Sequence, residues 1–196
     1  MLDMSSNVGI RIRERSPMTH LILARHGRTA SNVAHVLNSP AESIDEVGFA
    51  QAQTLRGRIE AADVRYDRIV SSPLPRARQT AAIANWMGLP IDCDDRLRER
   101  DPGDLAGVHL EPDLRARYWN YANRAEDFSD SETIDALFAR VAAFLDDVRH
   151  GRARRVLAIT HSGVSIAVHC LLEGVPSDGD LRFLGLENGD VWQLEP

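Results

Sequence analysis

Thr19-His20-Leu21-Ile22-Leu23-Ala24-Arg25-His26-Gly27 is the stretch on which the reading of this chain turns. The run from Thr19 to Ala24 is short, continuous and apolar at its centre, as expected of a strand buried on both faces. It ends on arginine, histidine and glycine. Strand C-termini in open α/β sheets are where ligands bind. An arginine there supplies a planar cationic fork for phosphate oxygens, and a glycine lets backbone come close. The triplet recurs as Arg149-His150-Gly151, which serves as a control. That copy ends the helical stripe Ile134, Leu137, Phe138, Val141, Phe144, Leu145 and Val148. It reads as a C-cap with glycine in the left-handed conformation. Position after a strand, not the three letters, gives the first copy its meaning.

Outward from Gly27, strand-like and helix-like runs alternate. Helical periodicity covers Val47 to Ala62, with Val47, Leu55, Ile59 and Ala62 on one face. Arg68-Ile69-Val70 reads as a short strand. Leu74 to Met87 is a helix stopped by Gly88-Leu89-Pro90, and a short extended piece begins at Ile91. Residues 92–110 are irregular, with a turn at Asp101-Pro102-Gly103. Helices follow over about Leu110–Asn123 and Glu132–His150. Val156 to Thr160 is a further buried strand, backed by a helix carrying Val164, Ala167, Val168, Leu171 and Leu172. Leu181–Leu186 and Val191–Leu194 read as tail strands joined at Asn188-Gly189, a hairpin signal. The alternation predicts an α/β fold. It is a three-layer sandwich with a mostly parallel central sheet, helices on both faces and one antiparallel strand.

The chain has 196 residues, 43% hydrophobic and 27% charged, with a net charge of −6. These values fit one soluble domain over residues 18–196 and disfavour nucleic acid as a partner. All 23 basic residues are arginine, so no lysine is available for a phosphate pocket or a Schiff base. Residues 1–17, with Arg11, Arg13 and Arg15, read as a disordered arm, and Met18 is an alternative start of the folded unit. No apolar stretch approaches the ~18 residues of a membrane span. Cys93 and Cys170 form no Cys-x-x-Cys pair, and a reduced cytoplasmic protein is the simplest reading.

Three strand ends carry chemistry. The first holds Arg25, His26 and Gly27, then Thr29 and Asn32. The second holds Ser71-Ser72-Pro73-Leu74-Pro75-Arg76-Ala77-Arg78-Gln79-Thr80. The third holds Thr160-His161-Ser162-Gly163. A parallel sheet aligns such ends on one edge, so two histidines and at least two arginines are expected to converge. His161 and His169 lack metal-ligand spacing, and neither His-Glu-x-x-His nor Gly-x-Ser-x-Gly occurs.

This pattern resembles the histidine phosphatase superfamily, with its phosphoglycerate-mutase-like fold, from residue 19 to about 194. Arg25-His26-Gly27, Asn32, the segment Ser71 to Ala81 with Arg76, the set Leu97, Glu99, Gly103 and Gly107, the pair Glu132 and Arg140, and His161 match its motifs in order. The resemblance implies a metal-independent phosphomonoesterase without cofactor, acting on a small phosphorylated substrate. His26 would be the nucleophile and Glu99 the proton donor, with Asp101, Asp104 and Glu111 as nearby alternative acids. Arg25, Arg76, His161, Asn32 and Ser162 would hold the phosphate. Arg28 and Ser162 stand where the family often has Glu and Gly, and Ser131 replaces a usual Gly. Arg28, Thr29 and His109 are candidates for substrate contact. His20, His35 and His169 read as bystanders. Tyr118, Trp119 and Tyr121 read as packing, with a substrate wall as the alternative.

A phosphoglycerate mutase and a silent phosphate-binding module are the rival readings. Mutases of this family carry a lysine and an arginine pair in a long insert, and the segment from Gly107 to Glu132 is short and has neither. Substrate identity stays open among sugar phosphates, nucleotides, cofactor precursors and phosphoproteins, and so does homodimerisation.

Overall fold

The computed structural model describes residues 19–196. The proposed N-terminal arm and the Met18 boundary lie outside the described residues. Five strands form one sheet in the order β3-β2-β4-β1-β5. They are β1 (His20–Arg25), β2 (Arg68–Ser71), β3 (Ile91–Cys93), β4 (Arg155–Thr160) and β5 (Val191–Leu194). β1 and β4, β4 and β2, and β2 and β3 pair in parallel, while β5 runs antiparallel beside β1.

Successive strand residues point to opposite faces, and the core divides accordingly. Leu21, Leu23, Val156 and Ala158 pack with α5 (Ile134–His150) and α6 (Ser162–Glu173). Ile22, Ala24, Leu157 and Ile159 pack with α2 (Glu46–Ala61) and α3 (Pro75–Ala84). A smaller cluster of Leu110, Tyr118 and Phe128 sits with α4 (Pro112–Tyr118), and α1 (Ala30–Ala34) follows β1 directly. The expected three layers are present.

The connectivity positions the site. From β1 the chain passes over β4 to β2, then to β3, with α2 and α3 on one face. It returns through α5 to β4 and leaves by α6 on the other face. Neighbouring strands β1 and β4 thus send their following helices to opposite sides, which opens a crevice at their C-terminal ends. Their register pairs Arg25 with Thr160, so His26 and His161 emerge side by side.

Several local expectations need correction. No strand forms over 181–186, so the tail hairpin is absent. Asn188 Nδ2 and the Gly189 N–H instead donate to the His26 carbonyl, at 3.1 and 3.3 Å. The Asn-Gly pair, with Gly189 at φ +78°, folds the tail onto the loop after β1. Gly151 does cap α5, but with φ −69° it is extended, not left-handed. The inward face of α2 is Gly48, Ala52, Leu55 and Ile59, with Val47 43% exposed. Gly48 sets this rotation: a β-carbon there would overlap the Arg28 carbonyl. α3 ends at Ala84, before Met87, because the Asn85 side chain takes both the N–H and the carbonyl of Leu89. α4 stops at Tyr118, and Tyr121–Asn123 forms a separate 3-10 turn. Cys93 is exposed, Cys170 is buried and both are free thiols.

Candidate active site

His26 and His161 lie at the crevice with ring centroids 5.0 Å apart, 1% and 0% exposed. The His26 Nδ1 sits 2.7 Å from the Gly27 carbonyl. A carbonyl oxygen only accepts, so Nδ1 carries the proton and the neutral ring leaves its lone pair on Nε2. Burial, then Arg25 and Arg76, hold the His26 pKa well below its ordinary 6.5, against the opposing Gly27 bond. Burial, then His26, Arg76 and Arg25, do the same to His161. The His161 Nε2 pairs with Ser72 Oγ at 2.8 Å.

Arg25 and Arg76 are held by carbonyls rather than carboxylates. Arg25 Nη1 donates to Leu186 O at 2.8 Å, and Arg76 Nη1 to Ser39 O at 3.0 Å. The Nε of each is buried without a hydrogen-bond partner, as are His161 Nδ1 and Arg100 Nη2. Leaving buried donors unpaired costs about 1–3 kcal/mol each, more when charged. Only Trp86 Nε1 joins them among the buried side-chain atoms described, so three of the five, on Arg25, Arg76 and His161, gather at this crevice. Such a concentration suits an anion.

Glu99 reaches the site from the irregular segment after β3. Its Oε1 accepts the N–H groups of Gly163 and Arg100, both at 2.9 Å. The segment is pinned from behind. Arg140 grips Glu132 through two contacts of 2.6 and 2.8 Å, and donates to the carbonyls of Arg96 at 2.6 Å and Glu99 at 3.2 Å. Arg100, 2% exposed, donates to the carbonyls of Glu132 and Tyr118, both at 2.6 Å, and lies 3.7 Å over the Tyr118 ring. Asp101 N–H donates to Glu132 Oε2 at 3.3 Å. The family-matched pair Glu132 and Arg140 is therefore a brace for the acid loop.

A cleft of about 450 Å³ opens above. Arg25, Asn32, Glu99 and Ser162 line it, with Trp119 and Phe183 on its walls. His26, His161 and Arg76 lie buried beside it, and Arg76 lines a second cavity of about 30 Å³ shared with Glu99 and Arg100. Asn32 both lines the cleft and caps α1, accepting the Thr29 N–H at 3.1 Å. Thr29 is buried as that N-cap. Arg28 is committed elsewhere, to Asp45 at 2.9 Å, and lies outside the cleft lining. His109 also lies outside it, with Nδ1 on the His35 carbonyl at 3.0 Å, while His35 does line it. Among the alternative acids, Asp101, Asp104 and Glu111 do not line the cleft, and Glu99 does. Tyr118 is core and Tyr121 packs against the main core, as read, while Trp119 both packs against the core and lines the cleft.

Ser72, Thr80 and Gly163 stand at the strand ends of the sequence without a role of their own, and Arg100 is not singled out there. Thr80 Oγ1 accepts the Gly27 N–H at 3.0 Å. Ser72 and Thr80 sit in the matched segment after β2, and Arg100 is adjacent to Glu99, so the motif neighbourhood was the available signal. No group of three or more His, Cys, Asp or Glu residues is arranged to hold a metal among the described residues. No helix among them is long and apolar enough to cross a membrane.

Fold and site together define an open α/β protein with a two-histidine, two-arginine pocket at its switch point. The chain belongs to the histidine phosphatase superfamily, branch 1, whose family model matches residues 21–196. It is 30% identical over 184 residues to a putative phosphoserine phosphatase 2 of Hydrogenobacter thermophilus, covering 90% of this chain and 84% of that protein. It is 32% identical over 172 residues to a 2,3-bisphosphoglycerate-dependent phosphoglycerate mutase of a Methylobacterium species, covering 81% and 82%. Among solved structures, a mycobacterial glucosyl-3-phosphoglycerate phosphatase in complex with VO3 superposes with a TM-score of 0.76 at 25% identity, covering 89% of this chain and 92% of that one. The relatives thus include both phosphatases and a mutase.

Proposed function

We propose that the protein is a phosphomonoester hydrolase that works through a phosphohistidine on His26. The observation that carries this reading is the His26 ring itself. It is neutral, its proton is fixed on Nδ1 by Gly27, and Nε2 makes no hydrogen bond, beside the half-buried Arg25 and the buried Arg76, neither of which has a carboxylate partner.

A phosphoryl group enters from the cleft floor formed by Arg25, Glu99 and Ser162. Arg25, Arg76 and His161 offer donors to its equatorial oxygens, where charge spreads in the transition state. The His26 Nε2 lone pair forms the N–P bond as the P–O ester bond breaks. Glu99 gives its proton to the departing alkoxide. Water then attacks phosphorus, Glu99 takes a proton from it, the N–P bond breaks, and inorganic phosphate leaves with His26 neutral again. The anchored Oε1 of Glu99 leaves Oε2 free of hydrogen bonds to move that proton.

The mutase reading rests on the similarity to the Methylobacterium enzyme. Against it stands the absence of any lysine. The deciding experiment is hydrolysis of p-nitrophenyl phosphate in the presence of EDTA, with rapid-quench trapping of an acid-labile, base-stable phosphoenzyme. Activity and trapped label are expected in the wild type and lost in His26→Ala. Metal dependence, or full activity in His26→Ala, overturns the mechanism. Transfer between phosphoglycerates without phosphate release selects the mutase, and binding without turnover selects the silent module.

A further inference from the structure

The cleft is larger than a phosphate needs and its far wall has a charge pattern of its own. Three arginines line it: Arg25, Arg115 and Arg182. Arg25 belongs to the phosphate end. Arg182 is neutralised by Asp180, with contacts of 2.7 and 2.9 Å. Arg115 has neither an ion pair nor a side-chain hydrogen bond among the described residues.

The Arg115 charge therefore faces the cleft without a counter-ion among the described residues. Glu111, four residues before Arg115, is the N-cap of α4 with non-helical backbone; its carbonyl accepts the Arg115 N–H at 2.8 Å, and its carboxylate makes no ion pair with the guanidinium. Neighbouring arginines of this region are paired: Arg117 with Glu126 at 3.1 Å and Arg124 with Asp135 at 3.5 Å. Arg115 alone of these is turned to the cleft. Beside it the wall is apolar and aromatic, with Leu110, Trp119, Ile166 and Phe183. Phe183 is 83% exposed, with the Arg182 guanidinium 5.4 Å from its ring centre.

Building on the phosphatase reading, we infer that Arg115 recognises a second anionic group on the substrate. The substrate is then a phosphomonoester with an apolar or aromatic body and an acidic group remote from the phosphate. The body packs between Trp119 and Phe183 while the phosphate sits against Arg25. A compact ester without a second charge would leave both the wall and Arg115 unused.

The test compares matched aryl phosphates: phenyl phosphate, and phenyl phosphates bearing a carboxylate or a sulfonate at the 3- or 4-position, directly or on a one- or two-carbon arm. The readout is the ratio of kcat/KM for each acidic substrate to that for phenyl phosphate. At least one acidic series is expected to exceed phenyl phosphate by about tenfold, as a charge-assisted hydrogen bond would give. Arg115→Ala should collapse that ratio towards one, mainly through KM, and Arg115→Glu should invert it. Arg117→Ala, outside the cleft, should keep the wild-type ratio. No acidic preference in the wild type, or a preference that survives Arg115→Ala, overturns the inference. Both results leave the phosphatase reading standing, since that depends on His26-dependent turnover of p-nitrophenyl phosphate.

Discussion

Glu99 Oε1 accepts the backbone N–H of Gly163 at 2.9 Å, and a β-carbon on Gly163 would overlap that same oxygen. The acid of the irregular loop and the start of α6 are fitted to each other through the absence of a side chain. Gly163→Ala should therefore displace the carboxylate while leaving the helix intact, since alanine is the better helix former. A misplacement of about an ångström costs on the order of 10–100-fold in rate. The loss should be greater for alkyl phosphates than for p-nitrophenyl phosphate, whose leaving group needs no proton. Glu99→Gln should show the same leaving-group dependence more strongly, about 10²–10⁴-fold on alkyl esters. Equal losses across leaving groups would remove Glu99 from the proton-donor role.

Arg140 holds the acid loop by its carbonyls and Glu132 by its carboxylate, with side chains 20% and 16% exposed. Arg140→Ala leaves Glu132 with only the Asp101 N–H and takes the donor from the carbonyls of Arg96 and Glu99. Urea unfolding should show a loss of about 2–4 kcal/mol. Arg140→Lys keeps the charge but not the fork, and should recover only part of the stability.

The two buried histidines set the response to acid. Their folded pKa values lie well below 6.5, so below pH 6.5 the unfolded chain binds protons that the folded chain refuses. Stability is full above 6.5 and falls as pH drops through the window beneath it. Each histidine contributes a slope of up to about 1.4 kcal/mol per pH unit. Chemical denaturation between pH 7.5 and 5 should reveal this slope, and His161→Asn should flatten it by one proton. The acidic limb of kcat/KM should likewise fall below 6.5, because His26 stays neutral there. A limb centred at 6.5 would contradict the burial argument.

Gly27 brings the loop after β1 against α2, where a β-carbon would overlap the Gly48 carbonyl. Gly27→Ala should cost about 2–3 kcal/mol, as overpacking against immovable backbone does. Thermal unfolding measures it. The glycine thus serves helix packing, where sequence reasoning gave it to the ligand.

Much of the site was legible because its residues sit at strand ends. Arg25, His26 and His161 follow apolar runs whose length and β-branched content identify strands without tertiary information. The seven-residue stripe of α5 was read correctly for the same local reason, and all seven residues are buried. Reading failed where a local signal had two uses. Asn188-Gly189 is a good hairpin turn in isolation, but here it serves the His26 carbonyl. Arg28 looked like a pocket cation until Asp45, 17 residues on, claimed it.

The sequence by itself determined the α/β architecture, the sheet edge where chemistry gathers and the residue types available there. Those follow from periodicity and from what terminates each run, which are properties of neighbouring residues. Only the tertiary structure decided which groups touch. The insertion of β4 between β2 and β1 brings His161 to Ser72 across 89 residues and Gly163 to Glu99 across 64. It also separated the arginines that are satisfied from those left open, because burial and hydrogen bonding depend on partners that no local pattern records.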